Sequence, residues 1–169
     1  MVGWTGAGAG ARRALRVALL TLLLGAGADR AFADLTVFAG STTTGPRTTF
    51  GAALGLSLQP VGVEFEYGGT PADRIAGRPA LRTGLFNLLV GTSSTDRRVQ
   101  VYGSFGGGMY RERLEGPART GLAASAGGGI YVRLNGPFRV RFDYRLFVLR
   151  GDSAHRRSRR AYAALNVAF

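Results

Sequence analysis

Residues Phe138 to Leu149 read FRVRFDYRLFVL, and two residue classes alternate through them. Phe138, Val140, Phe142, Tyr144, Leu146 and Val148 fall at one parity, with Arg139, Arg141, Asp143 and Arg145 between them. Successive side chains of an extended strand point to opposite faces, so this spacing predicts a strand with one apolar face and one charged face.

The same period organises seven more segments. They are Leu35 to Ser41, Thr48 to Leu58, Val61 to Tyr67, Leu81 to Thr92, Val99 to Tyr110, Gly121 to Leu134 and Ala161 to Phe169. In the second, Phe50, Ala52, Leu54, Leu56 and Leu58 oppose Thr49, Gly51, Ala53, Gly55 and Ser57. In the third, Val61, Val63, Phe65 and Tyr67 oppose Gly62, Glu64 and Glu66. Leu81 to Thr92 is mostly apolar on both sides, which leaves its phase open. The chain is 46% hydrophobic with 27 glycines, yet no segment after the N-terminal region has the eighteen or so apolar residues of a membrane-spanning helix. Eight strands, most close to the 9 to 11 residues that a tilted strand needs to cross a bilayer, predict an all-β, eight-stranded antiparallel up-and-down transmembrane β-barrel. Connections after the second, fourth and sixth segments are short, including Gln59-Pro60 and Asn135-Gly136-Pro137, and the others are expected to be longer. Short turns then lie on the periplasmic side and long loops outside.

A soluble lipocalin-like barrel also has eight alternating strands. It faces water with long charged side chains, whereas the polar face here is mostly Gly, Ala, Ser and Thr with a few charges, and the opposite face is Leu, Val, Ile and Phe. That face suits lipid, where an arginine at the midplane costs roughly 2 to 4 kcal/mol.

Arg12, Arg13 and Arg16 precede the apolar run Val17 to Leu24, and Ala31-Phe32-Ala33 follows. This is the layout of a secretory signal peptide with an A-x-A cleavage site. We therefore expect residues 1–33 to be removed after Ala33, leaving residues 34–169 as one barrel domain. Arg12-Arg13 is also compatible with twin-arginine export, but that route carries folded cargo, so general secretion is expected. Without cysteine there is no lipidation site after the signal and no disulfide framework.

Ala161, Ala163, Leu165, Val167 and Phe169 share one face and end on an aromatic, opposite Tyr162, Ala164, Asn166 and Ala168. Together with the eight-strand pattern over 34–169, this resembles the small outer-membrane barrels that include OmpX, the opacity-like adhesins and the N-terminal barrel of OmpA. The resemblance implies the outer membrane of a Gram-negative bacterium, outer-membrane lipid as surroundings, and Phe169 as a signal to the barrel assembly machinery. It does not choose an activity, since the scaffold hosts structural anchors, adhesins and a few enzymes.

Glu64 and Glu66 of the third segment lie across a closed eight-strand barrel from the seventh. Pairing with Arg139, Arg141 or Arg145, with Asp143 as an in-strand acceptor, is the expected lumenal charge network. A barrel of this size is filled by side chains, so a structural role is expected, with a gated trickle of small solutes as the alternative.

The net charge of +12 comes entirely from arginine, 22 of them against 10 acids. Nucleic acid would be the usual inference from such a balance, but an exported barrel meets no duplex. Arg150, Arg156, Arg157 and Arg159 cluster in the last expected loop, where lipopolysaccharide phosphates are the natural partners of guanidinium groups.

Catalysis has little to stand on. The single histidine, His155, lies in the same loop beside arginines, without the serine arrangement of barrel lipid A deacylases or an acidic residue to orient it. Neither Gly106-Gly107-Gly108 nor Gly127-Gly128-Gly129 continues into the Lys-Ser or Lys-Thr of a phosphate loop; relief of crowding in a tightly curved barrel explains them. Arg150-Gly151-Asp152 matches an adhesion tripeptide, and an adhesin with contact loops near Asp73 and His155 is the alternative function. The expectation is a non-enzymatic, monomeric envelope protein without cofactor or metal.

Overall fold

In the computed structural model, the described residues are 31–42, 46–58, 60–92, 98–114, 116–151, 153 and 156–169. They form eight strands in chain order: β1 (Ala31–Thr42), β2 (Arg47–Leu58), β3 (Val61–Thr70), β4 (Ala80–Gly91), β5 (Val99–Arg113), β6 (Arg119–Arg133), β7 (Phe138–Leu149) and β8 (Arg157–Ala168). Each pairs antiparallel with its sequence neighbour, and β8 pairs with β1, with Leu35 opposite Val167 and Ser41 opposite Ala161. Closure leaves no unpaired edge, which removes the exposed N–H and C=O groups that lipid cannot satisfy.

The burial pattern inverts that of a soluble protein. Leu54, Leu56, Phe86, Met109, Leu122 and Phe142 point outward and are exposed, whereas Thr36, Thr49, Glu66, Arg141, Arg145 and Asn166 are fully enclosed. A continuous apolar exterior around a polar, filled interior is the arrangement required when the surrounding solvent is hydrocarbon. Small apolar clusters inside, such as Phe38, Tyr162 and Ala164, fill space between the polar groups.

The phase of β4 follows from its neighbours. Residues directly opposite in an antiparallel ladder share a face; Glu66 is opposite Leu85 and Glu64 opposite Asn87. Leu81, Thr83, Leu85 and Asn87 therefore line the lumen, while Arg82, Gly84, Phe86 and Leu88 face outward.

Strand ends depart from the sequence reading. β3 continues to Thr70, β5 to Arg113, β6 starts at Arg119 and β8 at Arg157. Residues 43–46, 71–79, 114–118 and 150–156 are all that separate the strands at that end. Much of the expected long-loop sequence is thus paired strand. Hydropathy alternation fades where the barrel leaves the hydrocarbon, but the ladder continues because each backbone group still needs a partner. At the other end, Ala31, Phe32 and Ala33 belong to β1, and Ala33 exchanges two backbone hydrogen bonds with Phe169 at 3.0 and 2.9 Å.

Candidate functional site: a neutral ion-pair network across the lumen

The alternation of β3 and β7 sends their charged residues inward, and closure sets the two strands on opposite walls. Arg141 reaches across to Glu64, forming an ion pair through Nη1, and its Nη2 lies 2.7 Å from Asp143 Oδ2. Arg145 touches all three acids: Nη2 is 3.0 Å from Glu64 Oε1, Nε is 3.0 Å from Asp143 Oδ1, and Nη1 is 2.8 Å from Glu66 Oε2. Arg160 of β8 completes the set, with Nη1 at 3.0 Å from Glu66 Oε1.

Three carboxylates and three guanidinium groups give a net charge of zero, and all six are buried. Neutrality is what makes this layer tolerable, since an unpaired charge taken out of water costs several kcal/mol. Aromatic groups add further contacts to the network. Tyr102 donates to Asp143 and accepts from Arg141 Nε at 2.6 Å, and Tyr162 donates to Glu66 Oε2 at 3.2 Å. The Arg141 guanidinium carbon lies 4.9 and 5.3 Å from the ring centres of Tyr102 and Tyr131, within cation–π range. Below this layer, Asn166 Nδ2 donates to Asp34 Oδ1 at 3.0 Å and Thr36 Oγ1 at 2.8 Å, and Ser57 donates to Asp34 Oδ2 at 3.0 Å.

Glycine makes room for the arginines. Gly127 is opposite Arg145 across the β6–β7 ladder, and a Cβ there would stand 2.2 Å from the Tyr144 carbonyl oxygen and 2.9 Å from Arg145 Cγ. The Gly127-Gly128-Gly129 run is thus a packing feature beside the network.

Of the residues singled out in sequence, Glu64, Glu66, Arg141, Asp143 and Arg145 come together. Arg139 does not join them: it is half-buried and lines an opening at the short-turn end with Phe32, Gln100 and Tyr131. Arg160, one residue before the start expected for the last strand, takes its place. Its parity with Tyr162, Ala164 and Asn166 already marked it as inward, had the alternation of β8 been followed back past Ala161. The tyrosines carry no comparable signal, because an inward Tyr and an interfacial Tyr look alike in sequence.

The basic loop is also revised. Arg157 and Arg159 lie on the outward face of β8, alternating with enclosed Ser158 and Arg160, and only Arg150 and Arg156 stand in the connection. All four are exposed. His155 and Asp152 lie outside the described residues. Phe169 is 71% exposed at the foot of β8, on the same outward face as Leu165.

No protein-family model and no curated protein matches the sequence. Solved structures do match. A major outer membrane protein from Thermus thermophilus aligns with a TM-score of 0.68 at 11% identity, over 83% of this chain and 100% of that one. The N-terminal β-barrel domain of Pseudomonas aeruginosa OprF aligns with a TM-score of 0.64 at 13% identity, again over 83% and 100%. The outer membrane enzyme PagL aligns with a TM-score of 0.55 at 10% identity, over 79% of this chain and 98% of that one. The chain therefore has the fold of the small eight-stranded outer-membrane β-barrels. That fold carries enzymes as well as non-enzymatic proteins.

Proposed function

We propose that this chain is a structural, non-enzymatic barrel of the bacterial outer membrane whose lumen is closed by side chains and whose outer rim engages envelope lipid. One observation carries the reading: a neutral six-residue network spans the lumen from β3 to β7 and β8. Every carboxylate in it is bonded to arginine, so none is available as a general base, and no ion crosses that layer without breaking several pairs at once.

Further proposals accompany this one. The chain is exported by general secretion and cleaved after Ala33, and the assembly machinery reads the closing strand through Phe169. The barrel is monomeric and binds no nucleic acid. Arg150, Arg156, Arg157 and Arg159 form a basic rim for lipopolysaccharide phosphates, supported by their exposure at the outer end of β7 and β8.

Outer-membrane fractionation followed by electrophoresis with and without boiling tests the reading. A folded transmembrane barrel in that fraction changes mobility on boiling; recovery in the periplasmic fraction would refute it. Planar-bilayer recording tests the closed lumen. The wild-type barrel and the E64Q/E66Q variant are both expected to be silent, and discrete conductance steps appearing in the variant would favour the gate.

A further inference from the structure

At the outer end of β4 and β5, positive charge gathers that no acid among the described residues pairs in an ion pair. Arg82 and Arg111 are direct partners in the β4–β5 ladder, and Arg113 follows two residues along the same face of β5, opposite Ala80. All three are exposed, as is Arg74 in the connection before β4. The four arginines line one groove of about 380 Å³ with Ala80 and Leu114. Among the described residues, none of the ion pairs involves any of them. Asp73 is turned to the backbone N–H of Ala76 at 3.0 Å, and Glu112 points into the barrel, where it is buried.

Like charges directly opposite in an antiparallel pair are destabilising. Four guanidinium groups around one groove therefore favour an anion with several oxygens, and a phosphate monoester matches their forked donors. The surroundings narrow the source. Directly below the arginines on the same outward face lie Gly84 and Phe86 of β4 and Met109 and Gly107 of β5. Phe86 and Met109 are fully outward, and a Cβ at Gly84 or Gly107 would meet nothing nearer than 4.0 and 3.5 Å respectively. The two glycines lie diagonally between Phe86 and Met109 and leave low, open ground beside those side chains at the top of the lipid-facing band. A free phosphate uses only the groove, whereas a phosphorylated amphiphile uses both parts.

We propose that this rim is a binding site for the phosphorylated headgroup of an outer-leaflet amphiphile, held by Arg74, Arg82, Arg111 and Arg113 with an acyl chain along Gly84 and Gly107. The site rests on the reading of the chain as an outer-membrane barrel. It is distinct from the β7–β8 rim, which lies on the other side of the barrel.

The test uses the refolded barrel in phosphatidylcholine nanodiscs, with its urea midpoint read by gel mobility. Bisphosphorylated lipid A, dephosphorylated lipid A and inorganic phosphate are the three probes. Lipid A is expected to raise the wild-type midpoint, and the dephosphorylated form is not. The R82Q/R111Q variant should bind lipid A at least tenfold more weakly, yet match or exceed the wild type in phosphatidylcholine alone, because its opposed charges are gone. That reversal of order between the two membranes is not produced by a merely structural role. The comparison is repeated in the R157Q/R159Q background, where the β7–β8 rim is weakened, and adding R82Q/R111Q there should remove the remaining lipid A response. An undiminished lipid A response when R82Q/R111Q is added to R157Q/R159Q would overturn the site, and a full response to inorganic phosphate at matched phosphate concentration would overturn the lipid assignment. Absence of the chain from the outer-membrane fraction would instead defeat the underlying reading, a separate result.

Discussion

Replacing Arg145 with Met probes the centre of the lumenal network. Met fills much of the same unbranched volume, so the change removes charge and hydrogen bonds more than packing. Arg145 contacts Glu64, Glu66 and Asp143 at 2.8 to 3.0 Å. A unit-charge pair 4 Å apart is worth about 4 kcal/mol at an effective dielectric constant of 20, so three such attractions are lost. Relief of repulsion from Arg141 and of the desolvation of Arg145 itself offsets much of this. What remains is a buried network with three carboxylates and two arginines, and removing one member of such a set costs about 3 to 5 kcal/mol. Urea titration of the refolded barrel in lipid vesicles, followed by the mobility shift on boiling, measures the loss. The R145M/E66Q double variant restores neutrality and should recover at least about a third of it, a coupling of the size found for residues sharing one network. A single variant within about 1 kcal/mol of wild type would refute the argument that neutrality holds the lumen together. So would a double variant whose loss is the plain sum of the two single losses.

Other residues test the fold in separate ways. Gly127→Ala places a methyl 2.2 Å from a backbone oxygen and should cost about 1 to 3 kcal/mol by overpacking. Gly103→Ala, whose nearest neighbour would be 3.9 Å away, should leave the urea midpoint unchanged, so equal effects of the two would contradict the crowding argument. Leu54→Arg, in the middle of the outward face of β2, should destabilise the barrel by about 2 to 4 kcal/mol in a bilayer; a neutral result would mean that this face does not meet hydrocarbon. Intact-mass measurement of the exported protein should find Asp34 as its first residue, and a mass that retains Ala31 to Ala33 would move the processing site upstream.

The strand count and the facing of most strands were legible because they rest on local geometry. A strand presents alternate side chains to alternate faces whatever surrounds it, so FRVRFDYRLFVL declares its two faces unaided. β4 lacked that contrast: Leu85 and Leu88 are both apolar, and only the ladder with β3, which sets Leu85 opposite Glu66, separates inside from outside. Strand ends were hidden for a related reason. Past the hydrocarbon both faces are polar, and the continuing ladder of β8 back to Arg157 leaves no mark in hydropathy.

By itself, the sequence determined an eight-stranded barrel with an apolar exterior and placed Glu64, Glu66, Arg141, Asp143 and Arg145 on its inner wall, because period-two alternation is a property of each segment alone. Only the tertiary structure decided which charges meet. Closure and the stagger of the strands bring Arg160 to Glu66 across 94 residues of chain, leave Arg139 at the opening, and put Arg82 beside Arg111 on the outer rim. Those pairings depend on register between strands, and an isolated strand has none.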